Sequence, residues 1–272
     1  MEGGAVQRRL TGADAPSIGA PRLTWRVATV ADVVDETTHA RTLRLDVPGW
    51  PGHRAGQHVD VRLTAPDGYR TERSYSIASA PPVGAEQGES ATSRIELTVE
   101  RLSEGEVSPY LTGELRAGDG LELRGPIGGY FVWTVEEGGP LFLIAGGSGV
   151  VPLAAMVRLR SLRGTDVHAR LLYSARTQDA LYYRAELDAL AALRTGFDVA
   201  YSLTREQPAG WSGFTRRVDR EMLAEVGWSA PERPRIFICG PTAFVEAVAS
   251  ACVALGHAPE RIKTERFGAT GA

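Results

Sequence analysis

The chain of 272 residues is long enough for two domains, and its hydrophobic fraction of 43% and charged fraction of 23% are usual for a globular protein. Its formal net charge of −3 argues against a general nucleic-acid-binding protein, which would carry a strong excess of basic residues. The two cysteines cannot supply the four thiolates of a plant-type iron–sulfur cluster, and the histidines lack metal-ligand spacing, so no bound metal is expected.

No part of the sequence is typical of a membrane segment or a signal peptide. The longest apolar run, near residues 140–145, is too short to span a bilayer, and the first twenty residues lack a continuous apolar core. The low cysteine count indicates a reducing compartment. We therefore expect a cytoplasmic protein without membrane insertion.

The first domain is predicted over residues 22–136, after a flexible tail at residues 1–21 that is rich in Gly, Ala and Pro. Short alternating or β-branched segments, separated by Gly and Pro, indicate strands. Six are predicted, at residues 23–30, 41–47, 58–63, 74–78, 94–100 and 121–124. Because no long helix separates them, they favour an antiparallel six-stranded β-barrel. One helix is predicted at residues 108–115, with Ser108 as its N-cap.

The second domain is predicted over residues 137–272, where strands and helices alternate. The predicted strands are residues 140–145, 169–173, 197–203, 235–239 and 262–267. The predicted helices are residues 152–162, 179–193, 216–226 and 241–255, with Asp179 capping the second. This alternation is typical of a doubly wound parallel α/β domain. The predicted fold class is thus a β-barrel domain followed by an α/β domain.

A glycine-rich loop, Gly146, Gly147, Ser148 and Gly149, connects a predicted buried strand to a helix that contains Pro152. Glycines let the backbone approach a phosphate closely, and the first-turn amides of a helix attract anions. Proline fits the first helical turn because no N–H is needed there. The spacing is neither G-x-G-x-x-G nor G-x-S-x-G. A pyrophosphate-binding loop and a tight turn without a ligand are the two interpretations.

Arg73, Ser74, Tyr75 and Ser76 form a second cluster on a predicted strand. Arg73 and Tyr75 share a face of that strand, so a planar cation for phosphate lies beside an aromatic plane that could cover a flavin. An ordinary surface pair is the alternative.

The third cluster, Cys239, Gly240 and Pro241, follows a predicted parallel strand at its carboxyl end, where open α/β sheets bind ligands. A lone cysteine there can equally be a small buried residue. Because no histidine pairs with Cys239 in the sequence, we do not predict a nucleophile.

In their order along the chain, these clusters resemble the ferredoxin–NADP reductase superfamily over roughly residues 22–268. The motifs that carry the resemblance are R-S-Y-S at 73–76, G-P-I-G-G-Y-F at 125–131, G-G-S-G-V-V-P at 146–152, Y-S-A-R-T at 173–177, C-G-P at 239–241 and E-R-F at 265–267. Each motif alone is weak, but the joint order is specific.

The resemblance implies an FAD in the first domain. Arg73 would contact its pyrophosphate, Tyr75 would pack against the flavin, and Ser76 would hydrogen-bond near the reactive N5, with Ser74 in the same motif. The adenine side and the phosphates would lie against Val99, Arg101, Gly105, Val107 and Ser108.

The resemblance also implies a nicotinamide nucleotide in the second domain, held by the glycine loop, Pro152 and Arg176. Cys239 would lie beside the nicotinamide C4, and Gly240 and Pro241 would let the ring approach. Glu265 and Phe267 match the strand that covers the other flavin face. Glu265 could carry protons or be a solvated carboxylate. Ser76, Cys239 and Glu265 are the predicted catalytic residues.

Thr204 and Arg205 lie where NADP-using relatives carry Ser or Thr followed by Arg for the 2′-phosphate, whereas an acidic residue would suit a free ribose hydroxyl. Arg216 and Arg217 could add charge, while Glu206 weakens the argument. We expect NADPH, with NADH possible.

The implied reaction is hydride transfer from NAD(P)H to FAD, followed by single-electron transfer to a separate acceptor. Because neither end of the chain is rich in cysteine, we expect that acceptor to be another protein, a ferredoxin of an oxygenase-type system. A reductase of free flavin or small molecules and a non-catalytic flavin redox sensor remain as alternatives.

Overall fold

The computed structural model describes residues 23–82, 92–164 and 166–267. The tail predicted at residues 1–21 lies outside the described residues, so its flexibility stays a prediction. Within the described ranges, no helix is long and apolar enough to cross a membrane.

The first sheet has six antiparallel strands in the order β4-β3-β6-β1-β2-β5. They are β1 (Trp25–Thr37), β2 (Ala40–Pro48), β3 (His58–Thr64), β4 (Arg70–Ser76), β5 (Thr92–Glu100) and β6 (Gly120–Ile127). An isolated bridge between Ile77 and Leu97 joins the two outermost strands, which closes the sheet into a barrel. Alternate residues such as Leu43 and Leu45 fill its interior. All six predicted strands are therefore present.

Strand β1 is longer than predicted. It continues past residue 30 to Thr37 as one arm of a hairpin with β2, and its register shifts between Val30 and Asp32 and again between Asp35 and Thr37. These irregularities interrupt the period-two alternation from which strands are recognised in a sequence. The polar residues after Val30 therefore did not indicate a strand.

The helix of the barrel domain, α1 (Val107–Gly113), begins earlier than predicted. Glu106 occupies the N-cap position, and Ser108 lies inside the first turn. The Ser108 hydroxyl accepts a hydrogen bond from the amide of Leu102 (3.0 Å), which lies in the preceding loop. The prediction of Ser108 as N-cap is therefore wrong, because the buried hydroxyl satisfies a loop amide and not a helix amide.

The second sheet has five strands, all parallel, in the order β11-β10-β7-β8-β9. They are β7 (Leu141–Gly146), β8 (Ala169–Ala175), β9 (Phe197–Leu203), β10 (Arg235–Pro241) and β11 (Ile262–Phe267). The helices are α2 (Val150–Arg163), α3 (Arg184–Ala192), α4 (Arg220–Val226) and α5 (Thr242–Ala254). Separate apolar clusters cover the two sides of the sheet. This confirms the predicted fold class, and the domain limits at residues 136 and 137 stay a prediction.

Helix α3 begins five residues later than predicted. Asp179 lies in a short 3-10 turn, and the N-cap of α3 is Tyr183, whose φ is 58°. Leu181, Tyr182 and Tyr183 are all buried. The left-handed backbone at Tyr183 cannot be part of a right-handed α-helix, so the helix begins only after it. Asp179 as the cap of this helix is therefore a wrong prediction.

Helix α4 also begins later, at Arg220 and not at Arg216. The Asp219 carboxylate caps it by accepting the amide of Met222 (2.8 Å), and the same carboxylate pairs with Arg216 (2.6 Å). The extended backbone of Asp219 and its capping side chain together fix the start of this helix.

The barrel and the α/β domain share one apolar cluster. It contains Ala55 and Ala78 of the barrel together with Met156 of α2 and Cys239 of β10. The rings of Phe131 and Phe237 meet edge to face across this boundary, with 5.4 Å between their centroids. The two domains are therefore packed against each other through a common core.

Candidate functional site

Arg73 and Tyr75, near the end of β4, present a cation and an aromatic ring. The Arg73 guanidinium is exposed and donates to the Glu72 carbonyl (2.7 Å) and the Thr71 hydroxyl (3.4 Å), and among the described residues it forms no salt bridge. Tyr75 is half-buried against the barrel core, and this burial raises the pKa of its hydroxyl to about 12. Tyr75 is thus a neutral ring beside an unpaired cation, which fits a flavin and its pyrophosphate.

The two serines of the motif differ in their surroundings. Ser74 donates to the Asp60 carboxylate (2.6 Å), which also accepts from Arg124 (3.0 Å), so its side chain is engaged on the opposite side of the strand from Arg73. Any contact of Ser74 with a cofactor would therefore involve its backbone. Ser76 is half-buried at the last position of β4, opposite His58 of β3.

Gln57 connects two of these motifs, and the sequence analysis did not select it. Its side-chain Nε2 donates to the Gly128 carbonyl (2.6 Å). Its main-chain carbonyl accepts a hydrogen bond from the amide of Ile77 (2.9 Å), which follows Ser76. The adjacent Gly56 has φ of +98°, and a Cβ there would overlap the carbonyl of Phe131. The signal available in the sequence was Gly56, which lies two residues before β3, since a glycine at such a place marks a close approach between two stretches of backbone.

His53 supports the same region. Trp50 Nε1 donates to His53 Nδ1 (3.3 Å), so the ring proton lies on Nε2, which donates to the Ser79 carbonyl (3.2 Å). Burial lowers the pKa of His53 to about 4, which keeps the ring neutral. His53 therefore holds the segment after β4 in place through a neutral hydrogen bond.

The segment predicted to hold the adenylate half has mostly buried side chains. Val99 and Val107 lie in the barrel core, Ser108 binds the Leu102 amide, and a Cβ at Gly105 would lie 3.1 Å from the Ser108 hydroxyl. Arg101 is exposed and forms no salt bridge with any described residue. A nucleotide would therefore meet the Arg101 side chain and the backbone of this turn.

The glycine loop packs directly on the end of β10. Gly146 ends β7, Gly147 to Gly149 form a 3-10 turn, and α2 begins at Val150 with Pro152 in its first turn. A Cβ at Gly149 would overlap the Cys239 carbonyl, whereas Gly147, with φ of +57°, has open space above it. Ser148 is half-buried in the same turn. The open space beside Gly147, directly before the first turn of α2, fits a pyrophosphate.

Cys239 and Glu265 face each other on neighbouring parallel strands. They are register partners, and Cys239 Sγ lies 4.0 Å from Glu265 Oε2. Burial, together with the charge of Glu265, raises the pKa of the thiol well above its usual value, so Cys239 is a neutral thiol. Burial also raises the pKa of Glu265 to about 7, so this carboxyl holds a proton part of the time at neutral pH.

The residues next to this pair lie at the same edge of the sheet. Gly240 is buried against Gly146, where a Cβ would approach the Gly146 backbone to 3.2 Å. Pro241 is exposed and pairs with Phe267, which is half-buried against the cluster that contains Ala78 and Cys239. Phe267 therefore packs the carboxyl ends of β10 and β11 against the apolar cluster that both domains share.

The carboxyl ends of β8 and β9 carry two unpaired cations. The Arg205 amide donates to the Arg176 carbonyl (3.0 Å), and the Thr204 amide and hydroxyl both donate to the Ala175 carbonyl (3.0 and 3.2 Å). Arg176 and Arg205 are exposed, and neither forms a salt bridge within the described ranges. Arg216 differs, because Asp219 neutralises it (2.6 Å). Arg217 is exposed.

The described residues contain no group of three or more His, Cys, Asp or Glu side chains that could hold a metal ion.

Two family models match the chain, one over each sheet. Residues 28–132 match an oxidoreductase FAD-binding domain, and residues 143–250 match an oxidoreductase NAD-binding domain. The fold and the site thus define an oxidoreductase with FAD and NAD(P) domains, which confirms the expected cofactor classes.

Individual relatives lead to the family. The chain is 34% identical to ferredoxin–NADP reductase B of Sorangium cellulosum, over 78% of this chain and 84% of that protein. It is 31% identical to the glycine betaine monooxygenase reductase subunit of Chromohalobacter salexigens, over 88% of this chain and 63% of that protein. The solved cytochrome P450 reductase GcoB of Amycolatopsis is 29% identical, with a TM-score of 0.73 over 94% of this chain and 73% of that chain. The chain belongs to the ferredoxin–NADP reductase family.

Proposed function

We propose that this protein transfers hydride from NADPH to FAD and then passes electrons singly to a separate protein acceptor. The observation that carries the proposal is the position of Cys239, which pairs with Glu265 and shares an apolar cluster with Ala78, two residues after the R-S-Y-S motif. A nicotinamide at the first place and a flavin at the second would meet at the junction of the domains. The hydride chemistry belongs to the two cofactors, and the protein supplies their positions.

The chain's residues would divide this work between the two domains. Arg73 would bind the FAD pyrophosphate through its fork of donors, and Tyr75 would cover one flavin face. Phe267 is half-buried against the shared cluster and would cover the other face. Each of these roles needs only a cation or an aromatic plane, which is what the structure presents.

Cys239 and Glu265 would shape the nicotinamide end. A neutral thiol at 2% exposure leaves no negative charge against the ring, and it excludes water from the reacting atoms. Glu265, whose carboxyl holds a proton near pH 7, could release or accept one as the charge of the flavin changes. The Ser76 hydroxyl, at the end of β4, would orient the flavin ring.

We propose NADPH over NADH because Arg176 and Arg205 lie side by side at the nucleotide end of the sheet with no acidic partner in the described ranges. Replacing Arg205 with Ala should raise the KM for NADPH about tenfold, the effect of losing one charge-assisted hydrogen bond, and leave the KM for NADH unchanged. Steady-state kinetics with both nucleotides measures this.

The matched control for Arg205→Ala is Arg163→Ala, because Arg163 is the last residue of α2 and lies at the opposite end of that helix from the glycine loop. It should leave both KM values unchanged. Equal losses with NADPH and NADH in Arg205→Ala would contradict the assignment of a 2′-phosphate site.

We propose that the acceptor is a ferredoxin of an oxygenase system in the cytoplasm. The proposal is supported by the two curated relatives, which are named as a ferredoxin–NADP reductase and as the reductase subunit of a monooxygenase. The chain spans 63% of the length of the second relative, so the identity of the acceptor is part of the proposal and does not follow from that relative's name.

The proposed function is tested by cofactor content and acceptor choice. The purified protein should bind FAD in a one-to-one ratio, and with NADPH it should reduce a ferredoxin–cytochrome mixture at a rate that depends on ferredoxin concentration and ionic strength. Turnover with free flavin but with no ferredoxin would support the free-flavin reductase instead. Bound flavin that neither nucleotide reduces would support the redox sensor.

A further inference from the structure

Arg158 lies on α2, and its side chain leaves the α/β domain to contact the barrel. Its Nη1 donates to the Ala78 carbonyl (2.8 Å) and to Glu96 Oε2 (3.1 Å). We propose that Arg158 is a positioning residue for hydride transfer, which fixes the separation between the nucleotide at the glycine loop and the flavin at the end of β4. This inference rests on the proposed function.

On the nucleotide side, α2 connects Arg158 rigidly to the glycine loop. The helix begins at Val150, directly after Gly149, so Arg158 lies about 12 Å along its axis at 1.5 Å per residue. The side chains between these two positions are buried, from Val151 to Val157. A displacement at Arg158 would therefore be transmitted to the loop without being absorbed by the helix.

On the flavin side, Ala78 is fixed at both of its peptide groups. Its amide donates to the Glu96 carbonyl (2.8 Å), its carbonyl accepts from Arg158, and its side chain is fully buried. The preceding residue, Ile77, is held by the Gln57 carbonyl (2.9 Å). Arg158 therefore contacts a rigid stretch of backbone that begins immediately after Ser76.

Two further groups hold the guanidinium in one orientation, and a third residue fixes Glu96. Glu186 of α3 accepts from Nε (2.7 Å) and Nη2 (2.6 Å) in a bidentate pair. The ring of Tyr183 lies 4.7 Å from the Arg158 Cζ. Glu96 is itself shared with Arg44 (3.2 Å), which ties it to the neighbouring strand. The planar fork of arginine satisfies this geometry, and the single ammonium of lysine does not.

The polar contacts of Arg158 are better suited to aligning the two domains than to stabilising their association. A buried ion pair contributes little net stability, because desolvation offsets most of the attraction, and apolar side chains of similar volume often stabilise as well. The shared apolar cluster already joins the domains at Ala55, Met156 and Phe131. Apolar contacts do not fix the relative orientation of the two domains, whereas the hydrogen bonds of Arg158 have a defined geometry and do so.

The test compares Arg158→Lys with the wild-type holoenzyme. We expect the limiting rate of flavin reduction at saturating NADPH to fall between about tenfold and a hundredfold, as for a displacement near 1 Å, while the KM for NADPH and the FAD content stay within about threefold. A second readout needs no turnover. The visible difference spectrum that NADP⁺ induces in the bound flavin should lose amplitude, because the rings no longer stack at the same distance.

Arg62→Lys is the matched control. Arg62 also forms a bidentate pair, with Glu122 (3.0 and 2.7 Å), and its side chain is 14% exposed against 17% for Arg158, but both partners lie within the barrel sheet. It should leave the limiting rate and the difference spectrum unchanged. Glu186→Gln is a milder second variant, since Glu186 is 40% exposed, and it should change both readouts in the same direction as Arg158→Lys.

Three outcomes are decisive. If Arg158→Lys and Glu186→Gln lower the melting temperature but keep the wild-type limiting rate and difference spectrum, the role of Arg158 is only structural and the inference is overturned. If Arg62→Lys reduces the rate as strongly as Arg158→Lys, the effect is general and the inference is again overturned. If neither NADPH nor NADH reduces the flavin of the wild-type protein, the proposed function itself has failed.

Discussion

Glu265 is a half-buried carboxyl that lies on the last described strand and faces a buried thiol. Its pKa is raised to about 7 because the folded chain removes water from it, whereas in the unfolded chain it titrates near 4.5. The folded protein therefore binds the proton more tightly than the unfolded protein between these two values. Such a shift links a single residue both to stability and to proton movement at the site.

Stability should therefore depend on pH through Glu265. The stabilisation is complete below the unfolded pKa, near 4.5, and is lost as the pH rises through about 7. Replacing Glu265 with Gln, which resembles the protonated form, should remove this loss and make the variant more stable than the wild type at pH 8 by roughly 1–3 kcal/mol. Thermal unfolding of both proteins from pH 5 to pH 8 measures the difference.

Glu260→Gln provides the control, since Glu260 is an exposed carboxyl in the turn before β11. Its stability difference from the wild type should stay constant with pH. A constant difference for Glu265→Gln as well would contradict the raised pKa.

The positions of the motif residues follow from the sequence, but their connections do not. Cys239, Gly146 and Arg205 lie at carboxyl ends of parallel strands, which the strand–helix alternation alone predicts. Gln57 and Arg158 could not be selected in this way, because their roles depend on partners 71 and 80 residues away. Ser74 was selected as a cofactor-binding residue because it belongs to a motif, but the sequence does not show that its side chain binds Asp60.

At the scale of elements, the sequence identifies strands and helices better than it places their ends. Strands β9 and β11 match their predicted residues, because both are bounded by turn signals. The starts of α3 and α4 were predicted too early, because the left-handed Tyr183 in one case and the capping Asp219 in the other decide the boundary. Tyr183 is buried by a tertiary contact with the barrel, and no local sequence pattern predicts that contact.

The glycine loop allows a prediction about one element. Gly149→Ala should destabilise the protein by about 3 kcal/mol and weaken NADP⁺ binding, because its Cβ would overlap the Cys239 carbonyl and force β7 and β10 apart. Gly147→Ala, in the same turn, should cost only about 1 kcal/mol for its positive φ, since the space beside it is open. Urea unfolding and nucleotide titration measure the two effects.

Equal losses in the two glycine variants would contradict the close packing of this loop on the end of β10. A loss of NADP⁺ affinity in Gly147→Ala alone, with Gly149→Ala unaffected, would contradict it as well.

For the whole molecule, the decisive feature is that the barrel and the α/β domain are joined by polar contacts as well as by a shared apolar cluster. Lys263 of β11 donates to the Val132 carbonyl (2.9 Å), Tyr183 bonds Thr98 of β5, and Arg158 reaches Ala78. These contacts surround the apolar cluster that holds Cys239. An arrangement of this kind would let a nicotinamide and a flavin meet at one junction, as the proposed function requires of the FAD and NAD domains.

The most direct measurement is anaerobic stopped-flow spectroscopy of the FAD-bound protein mixed with NADPH that carries deuterium at the transferred C4 position. If the junction brings the two rings together, the flavin absorbance should bleach within a single turnover and deuterium should slow the bleaching. A flavin that stays oxidised with both NADPH and NADH, or a reduction rate that deuterium leaves unchanged while the nucleotide is saturating, would contradict the account.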